Sequence, residues 1–256
     1  MLAAASKKTR PSGEEGKQVT NKVTANKVTA KKTTPPKKKA ASRTPAAPHF
    51  TVDWFTNNLP TWQRLLVPRL AGRPVEALEV GSYEGMSASW MLDNLLTHAR
   101  SRLLCIDTFS DEPHEVWYLG KRVRNSGAFT RFTDNVMRRY PGKARAMRGD
   151  CATSLKRPDV QSARFDFIYI DPAGHSHDML EKAVLCFPLL KPGGVMVFDD
   201  YTYSKERDSR CPRLGADAFL NAYAPFVHVL HMGWQVVLER RAQPLPLPQC
   251  FSEYYS

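Results

Sequence analysis

The chain lacks the residues that staple a small fold. Its five cysteines, Cys105, Cys151, Cys186, Cys211 and Cys250, are scattered, odd in number and without a short paired spacing. A disulfide scaffold and a structural zinc site are excluded on that ground, and a reducing intracellular compartment, the cytoplasm first, fits best. No apolar run is long enough to span a bilayer, and no secretory apolar segment occurs. Aromatic residues are missing before Phe50, and acids in residues 1–49 are limited to Glu14 and Glu15, against 12 lysines and arginines.

That imbalance divides the chain more sharply than length does. Residues 1–49 carry +10 of the formal net charge of +12, repeat Asn-Lys-Val-Thr-Ala at 21–25 and 26–30, and end in a Lys- and Pro-rich run. Such a segment cannot bury enough apolar area to offset chain entropy, so it is expected to be a disordered tail. As a polyelectrolyte it suits nucleic acid or other polyanions; as a plain extension it suits solubility, or organelle or nuclear targeting. Residues 50–241 are expected to form one folded domain, and residues 242–256, with Pro244, Pro246 and Pro248, an extended C-terminal piece. With 42% hydrophobic residues the chain has ample material for a core.

The folded part is rich in apolar strands that end in acid. Phe165 to Asp171 and Val195 to Asp200 are separated by a stretch in which Met179, Leu180, Ala183, Val184, Phe187 and Leu190 recur at helical spacing, with Glu181 and Lys182 opposite. Pro192 and the pair Gly193-Gly194 then turn the chain. Strand, crossover helix and strand in this order place both strands parallel in one sheet. Ligands bind at the carboxyl ends of such strands, so Asp171, Asp199 and Asp200 should converge on one crevice, where a cation or protons must separate them.

Upstream, a leading helix bearing Trp54 and Trp62 is expected to end near Pro68. Strand Pro74 to Val80, the loop Gly81-Ser-Tyr-Glu-Gly85 and helix Met86 to Leu96 follow. Gly81 permits a tight turn, Gly85 permits close approach of a ligand or of the helix backbone, and free helix amides can face a polar ligand. The next strand ends in Asp107, roughly 25 residues beyond the loop, where dinucleotide folds put a ribose-binding carboxylate. A third strand, Ala144 to Arg148, leads to Gly149-Asp150. Residues 108–141 form either a lid over the crevice or one crossover helix around Phe129 to Tyr140 with a decorated loop. The final strands, Phe226 to Leu230 and Trp234 to Arg240, are joined too tightly to be anything but antiparallel.

Glu79-x-Gly81-x-x-x-Gly85, Asp107, Gly149-Asp150 and the closing hairpin together resemble a class I S-adenosylmethionine-dependent methyltransferase, over roughly Phe50 to Arg241. Ile170-Asp-Pro-Ala-Gly-His175 and Leu189-Leu-Lys-Pro-Gly-Gly194 to Phe198-Asp-Asp-Tyr201 are similar to a branch related to metal-dependent small-molecule O-methyltransferases. The resemblance implies a Rossmann-like α/β fold: a seven-stranded, mostly parallel sheet with an antiparallel C-terminal strand and helices on both faces. It implies Glu79, Gly81, Ser82 and Gly85 around the methionine part of the cofactor, Asp107 on the ribose and Asp150 near the adenine. It further implies Asp171, Asp199 and Asp200 as ligands of a magnesium-type ion, and a small-molecule hydroxyl as acceptor.

Hard carboxylate oxygens suit Mg²⁺, and a metal-bound hydroxyl loses its proton more readily. His175 or His177 has the chemistry to take that proton, so Asp171 and His175 are the candidate catalytic residues. Two departures bear on this: Pro172 stands where the branch has Gly, and one extra residue precedes His175. Without a metal, Asp171 would instead approach the hydroxyl or the cofactor directly, with Asp199 capping the next segment.

Rival readings carry less of the sequence. A nucleic-acid methyltransferase aided by the tail lacks the expected motifs: no Lys occurs between Lys39 and Lys121, and Asp171-Pro-Ala-Gly174 replaces an aromatic-ended Pro-Pro motif. A non-catalytic protein built on a cofactor fold would have little reason to keep acids at every rim position. A nicotinamide dehydrogenase would need a third glycine in the loop.

Overall fold

The computed structural model describes residues 47–171, 175–203 and 211–246. The expectations for residues 1–46, for Pro172 and its two successors, for residues 204–210 and for residues 247–256 lie outside it.

After a short 3₁₀ turn at Thr56–Asn58, the elements in chain order begin with α1 Leu59–Leu65, α2 Val67–Leu70, β1 Glu76–Val80 and α3 Met86–Asn94. Then come β2 Arg102–Asp107, the hairpin β3 His114–Tyr118 and β4 Lys121–Asn125, and α4 Ala128–Phe132, which runs into a π turn at Thr133–Met137. They continue with β5 Ala144–Arg148, α5 Cys151–Leu155, α6 Pro158–Gln161, β6 Phe165–Ile170, α7 Ser176–Cys186 and β7 Leu190–Phe198. Last are α8 Pro212–Tyr223, β8 Val227–Met232 and β9 Val236–Arg240.

Seven strands form one sheet in the order β5-β2-β1-β6-β7-β9-β8. The first five are parallel, while β9 runs antiparallel to both β7 and β8. The strand order reverses between β1 and β6, which puts the end of β1, the end of β2 and the end of β6 around one crevice. Apolar side chains fill both faces: Leu78, Ile106, Ile168 and Phe198 on one, Ala77, Cys105, Tyr169 and Val197 on the other. Central strands buried on both faces explain the nearly unbroken apolar runs in the sequence.

Several expectations need correction. Trp54 precedes the first helix and is 46% exposed, whereas Trp62 on α1 is fully buried. The leading helix ends at Leu65, near Pro68 as expected, but Pro68 itself sits in the first turn of the short α2, where its missing amide costs nothing. On α7, Val184 is exposed and Lys182 buried, the reverse of the expected faces. This helix packs on α5 and α8 as well as on the sheet, so its buried face is wider than one stripe. The approach to α8 is close enough that a β-carbon on Gly215 would meet the Ser176 carbonyl oxygen. Residues 108–141 hold the hairpin β3–β4, which the sequence reading did not foresee, and then α4 with its π turn over residues 128–137, close to the crossover helix expected around Phe129 to Tyr140.

Candidate active site

Β-strand 1 leaves the sheet at Gly81, and its backbone there is left-handed at φ +92°. A β-carbon at this position would lie 2.2 Å from the backbone oxygen of Asp171, so only glycine lets the loop pass the end of β6. Gly85 permits the close approach of a helix, one of the two uses expected of it: a β-carbon here would collide with the Val136 and Phe132 side chains, so glycine lets α3 pack against the α4 region.

Asp107 holds the loop from outside. Its Oδ2 accepts hydrogen bonds from the amides of Ser82 (2.8 Å) and Tyr83 (2.9 Å), and its Oδ1 from the amide of Phe109 (2.7 Å). Glu79 holds the loop from beneath. It is fully buried, and its carboxyl accepts hydrogen bonds from Ser82 Oγ (2.6 Å), Ser87 Oγ and Cys105 Sγ. Burial raises its pKa from 4.5 to about 7 against those hydrogen bonds. Its place is under the loop, where it holds Ser82. Asp150 caps α5 by accepting from the Thr153 amide at 2.8 Å, and hydrogen bonding to the Thr153 side chain first, then to its amide, lowers its pKa. It is exposed at the rim beside β5.

Asp171 lines the crevice with Gly81, Ser82, Tyr83, Met86 and Tyr169. Burial first, and then the charges of Asp199, Asp200, Glu79 and Asp107, push its carboxyl well above the usual range. Asp199 is buried; its Oδ2 accepts from Tyr169 Oη and from Asn58 Nδ2 at 3.4 Å, and its Oδ1 from the Asp200 amide at 2.8 Å. Desolvation raises it nonetheless. Asp200 adopts a left-handed backbone at φ +58°. Burial and the neighbouring Asp199 bring its pKa up to about 7.

The three carboxylates therefore feel one another, as the strand-end pattern predicts. Their composition fits a hard divalent cation, but their arrangement fits one less well. Among the described residues, no three His, Cys, Asp or Glu side chains are grouped to hold a metal ion. Asp199 is turned to Tyr169 and Asn58, which makes it an anchor in this arrangement. His175 stands at the start of α7, exposed, its ring stacked on His177 at 5.5 Å between centroids. No hydrogen bond joins it to the three carboxylates among the described residues.

Sequence reasoning missed a further buried carboxylate. Glu84, inside the glycine loop, is 2% exposed and receives Thr51 N and Oγ1 (2.7 Å each), Asn125 Nδ2 (2.8 Å) and Arg131 Nε (2.8 Å). Desolvation opposes its charge, yet these partners hold its pKa below the usual value. It thereby ties the segment before α1, β4 and α4 to the loop. The one sequence signal was an acid where a glycine turn needs none.

Among known proteins, a family model described as a methyltransferase domain matches residues 78–201. The O-methyltransferase hkm8 of Aspergillus hancockii is 30% identical over 125 residues, 45% of this chain and 48% of that protein. The chain thus spans about half the length of this curated relative. Among solved structures, the MycE methyltransferase of the mycinamycin biosynthetic pathway, in complex with Mg, SAH and mycinamycin VI, is 15% identical with a TM-score of 0.52. That match covers 75% of this chain and 51% of MycE. A Corynebacterium glutamicum protein is 17% identical with a TM-score of 0.51, over 75% of this chain and 83% of the other. Residues 78–201 are thus similar to a methyltransferase domain, and the part shared with hkm8 is similar to an O-methyltransferase.

Proposed function

We propose that this chain is an S-adenosylmethionine-dependent methyltransferase that O-methylates the hydroxyl group of a small molecule. The observation that carries the reading is the glycine loop fixed by Asp107 and set directly against Asp171 at the reversal of the sheet. Cofactor contacts are assigned to Gly81, Ser82, Asp107 and Asp150 at the rim, with Glu79 and Gly85 shaping the loop from below and behind. Kinship with an O-methyltransferase supports oxygen as the acceptor atom.

Bound S-adenosylmethionine supplies an electrophilic methyl group on a sulfonium. The protein must hold the acceptor hydroxyl in line and take its proton. Asp171 is assigned the central place because it lines the crevice beside the loop. Asp200, with its pKa near 7, is poised as a base at neutral pH. His175 remains the alternative base, reaching the crevice only if its exposed ring turns inward. Tyr169 and Asn58 steady Asp199, which sets the field that Asp200 feels.

A magnesium-type ion at Asp171, Asp199 and Asp200 is the second reading, favoured by the mutual repulsion that raises Asp171 and Asp200. Residues 50–241 would be the catalytic domain. The +10 tail would add salt-sensitive affinity for nucleic acid or other polyanions without choosing the acceptor. No helix among the described residues is long and apolar enough to cross a membrane.

Calorimetric titration with S-adenosylmethionine and its demethylated product tests the proposal. Saturable one-site binding is expected, with a methylene-mass gain on a hydroxylated metabolite. An absence of any binding signal would overturn it.

A further inference from the structure

The segment His49–Phe55 crosses the mouth of the crevice. Phe50, Val52, Trp54 and Phe55 form its wall opposite Gly81, Ser82 and Asp171. The room left beneath them is about 40 Å³, space for about one water, whereas sites for cofactor-sized ligands need roughly 300 Å³ or more. A larger space of about 450 Å³ lies on the outer side, between Pro48–Asp53, Met86 and Tyr118 of the hairpin. Phe50, Val52 and Met86 border both, so this one strand of backbone is the partition.

What keeps the partition in place is side-chain chemistry rather than sheet pairing. Thr51 donates its amide and its hydroxyl to the two oxygens of Glu84. Asn135 reads the backbone of His49 in both directions, accepting from its N–H and donating to its C=O at 2.9 Å each. The same Asn135 donates to the Glu84 carbonyl at 3.0 Å. Trp54 rests on Tyr83, with ring centroids 5.2 Å apart. Glu84 is held in turn by Asn125 and Arg131, so the hairpin and α4 brace it. Among the described residues, the segment is thus tied to the loop chiefly through one buried carboxylate and its neighbour Asn135.

We propose that Glu84 is a positioning residue whose bonds to Thr51 latch His49–Phe55 shut over the crevice, setting how fast and how tightly the cofactor enters. This rests on the methyltransferase reading above. The shut segment leaves no room for the cofactor, so the ligand is held only with the segment lifted. Weakening the latch therefore raises the association rate and the affinity together and leaves release nearly unchanged. A residue that merely shaped the bound site would alter release and affinity while leaving association alone.

Surface plasmon resonance of the full-length protein with S-adenosylhomocysteine separates these outcomes. Thr51→Val keeps size and shape but removes one bond to a charged acceptor, so the association rate constant and the affinity should rise about tenfold. Glu84→Gln, which also loses the Arg131 ion pair, should raise them further; if that variant fails to fold, Thr51→Val decides alone. Wild-type binding with an unchanged association rate in Thr51→Val overturns the latch and leaves the proposed function standing. No binding by the wild type overturns both.

Discussion

Gly81 and Asp171 meet backbone to side: the place where a β-carbon of Gly81 would sit is 2.2 Å from the Asp171 carbonyl oxygen. The end of β1 and the end of β6 are therefore fitted to each other without slack. Gly81→Ala should lower stability by about 2 kcal/mol or more, since the new methyl meets backbone and the position is left-handed. Thermal unfolding together with cofactor titration checks this, and a near-native Tm would contradict it.

Asp107 is expected to control the loop more through backbone amides than through its charge. Asp107→Ala removes acceptors for Ser82, Tyr83 and Phe109, and affinity for S-adenosylhomocysteine should fall on the order of 100-fold. Asp107→Asn keeps carbonyl acceptance on one side and should fall less. Equal losses in the two variants would show that charge dominates.

Glu79 makes a prediction about pH. Its folded pKa is about 7 against an ordinary 4.5, so the folded state holds a proton that the unfolded state has released between those values. Stability from this group is full below about pH 4 and declines as pH rises towards 7, by on the order of 3 kcal/mol. Glu79→Gln should flatten that decline in urea unfolding measured from pH 5 to 8. A slope identical to wild type would place the effect elsewhere.

Metal dependence is separable from cofactor binding. If an ion bridges the three aspartates, a chelator should abolish turnover and leave S-adenosylhomocysteine binding intact, with Mg²⁺ restoring it. Asp199→Ala should then lose activity whether or not Mg²⁺ is added. Indifference to the chelator would favour protons in the cluster, and rate would then follow a group titrating near pH 7, as Asp200 does.

Removal of residues 1–46 should leave turnover within about twofold and weaken salt-sensitive binding to polyanions. A large drop in turnover would show that the tail reaches the site.

The sheet was legible because burial on both faces writes itself as apolar runs, and each run ended in an acid or a glycine. The rim acids Asp107, Asp150, Asp171, Asp199 and Asp200 were found for the same reason. Their partners were not. Glu84 draws on Thr51, Asn125 and Arg131, which lie 33, 41 and 47 residues away, and polar pairs at such distances leave no period to read. Glu79 was found, but its partners Ser82, Ser87 and Cys105 were not, since its place in β1 could not tell that the loop folds back over it. Lys182 was assigned outward because charge in a helix usually is; α5 packing over it brings its stem inside.

The insertion of β9 between β7 and β8 has a consequence for how the protein comes off the ribosome. The strand bearing Asp199 acquires its second neighbour only when Val236–Arg240 has been made. Until then a nascent chain presents β7 as a long, apolar, open edge, the kind of surface that pairs with other chains. Chains ended before Val236 should therefore accumulate in aggregates rather than as a smaller domain.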